Sequence, residues 1–105
     1  MVKQDAVFGL LGLSQRAGKV TSGEFSTESS VRDGKSYLVI LAGDTSDRSK
    51  KQFKDMCEHF KVPYREYSDK ETLGHTIGKE FRASLSVNDE GLARQIISKI
   101  DGGSN

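Results

Sequence analysis

The sequence predicts an α/β fold, a three-layer α/β/α sandwich built on a small mixed sheet. Three observations lead there. Helical and strand periodicities alternate along the chain, in the order α, short β, α, β, α, β, α, β, α. The run "YLVILAG", residues 37–43, is continuously apolar, rich in β-branched residues and closed by glycine, so it reads as a central strand buried on both faces. The chain has 105 residues, enough for one core and too few for two. Residues 1–100 therefore form a single domain, and "DGGSN" (101–105) is expected to be a disordered tail.

Each element follows from its own pattern. Residues 4–17, "QDAVFGLLGLSQRA", place Ala6, Val7, Leu10, Leu11, Leu13 and Ala17 mostly three and four apart, an amphipathic helix stopped by Gly18. A second helix spans residues 23–33. Thr21 with Glu24 has capping-box spacing, Ser22 is a rival cap, and Gly34 ends it. After the central strand, Thr45 or Ser46 caps a third helix whose apolar stripe is Phe53, Met56, Cys57 and Phe60. "VPYREY" is a short strand, and Pro63 at its start suits an edge position. "SDKETLGHTIG" opens with a Ser68–Glu71 capping box and makes a short helix closed by Gly78. "RASLSV" alternates Ala83, Leu85 and Val87 with polar residues, which predicts a strand with one wet face. Asn88 caps the last helix, whose buried stripe is Leu92, Ile96 and Ile100, widened by Ala93 and Ile97.

Composition narrows the function. Sixteen Lys+Arg against fifteen Asp+Glu leave a net charge of +1, so any basic surface must be local. Cys57 is alone, which excludes an internal disulfide and a cysteine zinc site and fits a reducing, cytoplasmic setting. No apolar run approaches membrane-spanning length, so no membrane partner is expected. Cys57 lies on an apolar helix stripe, His59 faces away from it, and His75 has no second ligand nearby. No catalytic residues, metal or cofactor are expected, and the chain reads as non-enzymatic.

Three segments are expected to meet on one edge of the sheet. The first is Lys19 to Ser29, the turn into the second helix, where free backbone N–H groups and the helix dipole favour an anion. The second is "GDTSDR" after the central strand, at the end where open sheets bind ligands. The third is "GKEFR", residues 78–82, with Lys79 and Arg82 for phosphates and Phe81 for stacking on a splayed base.

Five blocks, "LLGLSQRAGKVTSGE", "GKSYLVILAGD", "KKQFKDMCEHFKVPY", "LGHTIGK" and "DEGLA", resemble the kink-turn-binding ribosomal-protein family L-seven-Ae/L-thirty-e, nearest its bacterial YlxQ-like branch. The resemblance runs from about Val7 to Ile97. It implies that family's sandwich and a cytoplasmic, ribosome-associated protein binding structured RNA, either rRNA or another kink-turn-like or bulged RNA. Ribosomal or translation-associated proteins would be further partners. It places the RNA on Lys19, Gly23, Glu24, Phe25, Ser26, Ser29, Lys79, Glu80, Phe81 and Arg82. The family pattern Gly-x-Asn-Glu-x-x-Lys is altered here: aligned on Gly23, the last three named places hold Phe25, Ser26 and Ser29. A bidentate base contact supplies roughly 1–3 kcal/mol of discrimination, so losing two removes most sequence reading. The cations Lys19, Lys79 and Arg82, with Arg16 and Lys35, remain for shape-led, salt-sensitive binding. A second reading is a protein-interaction module in which Phe25 anchors a partner.

Overall fold

The computed structural model describes residues 5–102. Residues 1–4 and 103–105 lie outside the described residues, so the expected helix start at Gln4 and the tail from 103 onward lie there too. The described elements are α1 (Ala6–Arg16), β1 (Val20–Ser22), α2 (Glu24–Arg32), β2 (Leu38–Leu41), α3 (Asp47–Phe60), β3 (Tyr64–Glu66), α4 (Lys70–Thr76), β4 (Ser84–Val87) and α5 (Glu90–Gly102). The predicted alternation of helices and strands is observed. The last helix runs past residue 100: Asp101 and Gly102 are helical, and Arg65 Nη2 pairs with the Asp101 carboxylate at 2.7 Å.

The sheet is mixed, in the order β1-β4-β2-β3. β2 runs parallel to β3, and β4 is antiparallel to both β1 and β2. β2 is buried at every position, and its residues alternate between two cores. Leu38 and Ile40 join Val7, Leu11, Leu73, Leu85, Val87 and Ile96 under α1, α4 and α5. Val39 and Leu41 join Val31, Phe53, Met56 and Cys57 under α2 and α3. Helices thus cover both faces of the sheet, the three-layer sandwich. β3 is an edge strand, with Pro63 just before it: the Pro63 carbonyl accepts from Val39 N–H, and no proline donor is needed.

One strand differs from its pattern. β4 has no wet face: Ser84 and Ser86 are as buried as Leu85 and Val87. Its position between β1 and β2 puts its polar face under α2. Ser86 tolerates burial because its hydroxyl bonds Ser36 Oγ at 2.7 Å and Asn88 Oδ1 at 2.6 Å. Leu13 and Phe60, assigned to apolar stripes, are 46% and 37% exposed, since each lies at the rim of its helix's buried face.

Candidate nucleic-acid interface

The register of the sheet brings one end of each strand together. Ser22 at the end of β1 stands opposite Leu85, and Leu41 at the end of β2 stands opposite Ser84. The turn into α2, the loop before β4 and the loop after β2 therefore share one end of the sheet. Ala42 N–H donates to Ala83 O at 2.9 Å and Gly23 N–H to Ser84 O at 3.0 Å, stitching the three together.

The start of α2 is open. Gly23 has φ +93° and ψ 159°, a conformation that side-chain-bearing residues rarely adopt. As the N-cap it brings no side-chain oxygen, and no side chain caps the helix. Neither expected cap serves. Thr21 lies in β1 and pairs its hydroxyl with Ser30 Oγ at 2.8 Å. The Ser22 hydroxyl accepts instead from Arg82 Nε at 2.9 Å. Strand formation has directed both hydroxyls to partners other than the first turn of α2, which leaves its N–H groups without a side-chain cap at the positive end of the dipole. Exposed Glu24 in that turn opposes an anion and offsets part of this attraction.

The loop before β4 is held tightly. Lys79 N–H donates to Gly74 O at 2.7 Å and Arg82 N–H to Lys70 O at 3.1 Å. Gly74 in the middle of α4 makes this possible: a β-carbon there would come within 2.6 Å of the Glu80 carbonyl carbon and 3.0 Å of Phe81 N. Arg82 then spans the gap to β1, with Nε on Ser22 Oγ and Nη1 on Phe81 O at 2.8 Å. The guanidinium fastens the loop to the strand that enters α2. Lys79 and Glu80 are exposed, Arg82 is half-buried, and Phe81 is 60% exposed. Phe25, the second residue of α2, is 81% exposed.

The third segment acts as a wall. Gly43 N–H donates to Ser68 O at 2.7 Å, and the Asp44 carboxylate accepts from Lys70 N–H at 3.0 Å. Asp44 thus serves the start of α4, while Asp47 begins α3, and neither acid offers anything to a phosphate. The expected Ser68–Glu71 capping box is replaced by Asp69, whose carboxylate accepts from Thr72 N–H at 2.7 Å. That backbone hydrogen bond holds the Asp69 carboxyl below its ordinary value.

Of the ten residues singled out from the sequence, Gly23, Glu24, Phe25, Lys79, Glu80, Phe81 and Arg82 lie at this end of the sheet. Lys19 does not: it precedes β1 at the strand's other end, roughly 10 Å away at ~3.3 Å per residue. Ser26 and Ser29 lie along the flank of α2, where they share an open cleft of about 650 Å³ with Lys19, Phe25, Lys35 and Tyr37. Sequence reasoning missed Ser22 and Gly74. Gly74 carried a usable signal, because an isolated glycine inside a helical pattern marks a close approach.

The ion pairs of the described residues are Arg32–Glu28, Lys50–Glu66, Lys51–Asp55, Arg65–Asp101 and Arg94–Glu90. None includes Lys19, Lys35, Lys79 or Arg82, so these four cations are not engaged by a carboxylate in an ion pair among the described residues. Cys57 is buried, and burial pushes its thiol up to about 11, which keeps it protonated and unreactive. No group of acids, histidines or cysteines among the described residues could hold a metal. Among them, no helix is long and apolar enough to cross a membrane.

Comparison with known proteins gives the lineage. Residues 5–97 match the Ribosomal protein L7Ae/L30e/S12e/Gadd45 family, and the chain belongs to it. It is 42% identical to the RNA-binding protein YlxQ of Bacillus subtilis (strain 168), over 90% of this chain and 94% of that one. A solved Bacillus halodurans structure, described as a protein with unknown function, matches with TM-score 0.90 and 33% identity over 93% of this chain and 99% of its own. The Giardia lamblia 15.5kD RNA binding protein shares the fold, with TM-score 0.78 at 21% identity over 95% and 92% of the two chains. As a member of this ribosomal-protein family the chain is non-enzymatic, and its Bacillus subtilis relative is named for RNA binding.

Proposed function

We propose that this member of the L7Ae/L30e family is a cytoplasmic, ribosome-associated protein that grips a kink-turn-like or bulged structured RNA. One observation carries the reading: the uncapped start of α2 and the Lys79–Arg82 loop are joined into one rigid surface by the Arg82–Ser22 hydrogen bond. The open amides of α2 receive a backbone phosphate at the bend. Lys79 adds a mobile cation, and Phe81 gives an extruded base a ring to stack on. With Phe25, Ser26 and Ser29 in the base-reading places, shape carries more of the recognition than base identity does. Arg82 spends two of its donors inside the protein, so its main role is to position the loop.

The test is a fluorescence-anisotropy titration against a kink-turn RNA and a plain duplex of equal length, at low and moderate salt. Tighter binding to the kink-turn at both salts is the expected result. Lys79→Gln should lower the slope of log affinity against log salt by about one. Equal affinity for both RNAs, erased by salt, would sink the reading. Exposure of Phe25 (81%) favours a second reading, a protein-docking surface on the same fold, which that negative result would promote.

A further inference from the structure

The cleft on the flank of α2 is left over once the end of the sheet has been assigned. It is open, about 650 Å³, and bounded by two aromatic rings, Phe25 near the helix start and Tyr37 just before β2. Both rings are exposed, Phe25 by 81% and Tyr37 by 42%. Lys19 and Lys35 line it between them, each exposed and neither in an ion pair among the described residues. Asp33 is the one carboxylate on its lining, and Ser29 supplies a hydroxyl. The backbone beneath is fixed: Lys19 O accepts from Asn88 N–H at 2.7 Å, and Lys35 N–H donates to Ser30 O at 2.9 Å.

We propose that this flank is a track for an unpaired RNA strand leaving the bend, a second segment of the interface that rests on the reading above. Exposed rings together with ammonium groups outside any described ion pair are the chemistry that single strands require. Bases stack on Phe25 and Tyr37, whatever their identity, while Lys19 and Lys35 neutralise the phosphates between them. A duplex offers no free base faces to these rings. The ammonium groups come from the segments before β1 and before β2, not from the second turn of α2, where Ser29 stands. Phe25 belongs to both surfaces and makes them continuous.

The experiment compares one kink-turn RNA in three forms: blunt, with a short 5′ oligouridine arm, and with a short 3′ arm. Fluorescence anisotropy at moderate salt reads the affinity of each. One arm should tighten binding by about ten-fold, the scale of base stacking on aromatic rings. Tyr37→Ala should cut that gain while leaving blunt-RNA affinity unchanged, and Lys35→Gln should cut the gain as well. Circular dichroism confirms that both variants fold. If the blunt RNA binds and neither arm adds affinity, or if both variants retain the gain, the proposal is overturned and the flank passes to a protein partner. If no form binds, the reading of the previous subsection falls and takes this one with it.

Discussion

The start of α2 and the start of α4 lie at the same end of the sheet and are built in opposite ways. At α4, Asp69 accepts from Thr72 N–H and Asp44 accepts from Lys70 N–H, so its first amides are consumed by the protein itself. At α2, a glycine in a positive-φ conformation brings no acceptor. The other described helices side with α4. Asp5 accepts from Val7 N–H at 2.8 Å, Ser46 from Ser49 N–H at 3.2 Å, and Asp89 from Leu92 N–H at 2.9 Å. Helix ends exposed to water are usually sealed because doing so adds stability of about 1 kcal/mol. Leaving a single described helix open, beside a loop with an exposed phenylalanine, forgoes that stability in favour of a binding surface. The contribution of α4 is of another kind, since its Gly74 lets the loop lie against it.

The contrast can be broken most severely at α4. Gly74→Ala forces a β-carbon into the Glu80–Phe81 backbone, so the loop must move. A stability loss of about 1–3 kcal/mol is expected from such overpacking, read by urea denaturation. RNA affinity should fall with it, because Phe81 and the Arg82–Ser22 bond go with the loop. A fully stable Gly74→Ala protein with unchanged binding would show that this packing is dispensable.

Converting α2 to the α4 design sharpens the comparison. Gly23→Asp installs a carboxylate cap on the open amides, whereas Gly23→Ala does not. Nothing stands within 4 Å of either new β-carbon, so both incur only the backbone strain of a positive φ, about 1–3 kcal/mol. Gly23→Asp should weaken RNA binding roughly ten-fold, equivalent to ~1.4 kcal/mol, through occupied amides and added negative charge. Gly23→Ala should retain most of the affinity. Equal losses would mean that conformation at residue 23, not the open amides, is what RNA needs.

Converting a sealed start to an open one is milder. Ser46→Ala removes the α3 cap and should cost about 0.5–2 kcal/mol in thermal or urea unfolding, with no change in RNA affinity, because α3 contributes no side chain to the interface.

The smallest effect is pH dependence. Asp69 is held below its ordinary value chiefly by the Thr72 amide, and Asp101 chiefly by the Arg65 guanidinium. A depressed carboxyl contributes stability above its unfolded pKa and loses it as pH falls through the folded one. On acidification below the ordinary carboxylate range, near pH 4, amide exchange at the start of α4 and the end of α5 should accelerate first. The start of α2, which has no carboxylate cap, should show no such acid step.

Much of this was legible in the residues. The alternating pattern predicted all nine described elements in order, and the run 37–43 predicted the strand buried on both faces. The caps were less legible. Thr21 and Ser22 have the right chemistry for α2, Ser68 for α4 and Asn88 for α5, yet each is displaced by a neighbour. Thr21 and Ser22 are drawn into β1 by pairing with β4. Ser68 takes φ +62° to turn the chain, leaving Asp69 to cap. Asn88 turns inward to Ser86, leaving Asp89. For Thr21 and Ser22 the competition comes from a strand distant in sequence and for Ser68 from a turn, whereas Asn88 is taken by Ser86 two residues back, once β4 buries that hydroxyl.

The candidate site divides along the same line. Gly23, Phe81 and Arg82 stood out as residue types, since glycine before a helix and an aromatic among cations carry their own chemistry. That Arg82 reaches Ser22 across 60 positions, that Gly74 admits the loop, and that Lys19 lies at the far end of β1 were set by strand register and loop packing. The sequence by itself determined the layers, because periodic burial of apolar side chains is a local property with a large summed free energy. Tertiary structure alone decided which polar groups are consumed and which stay free for a ligand. A hydrogen bond needs its partner within about 3 Å, and chain folding alone supplies that distance.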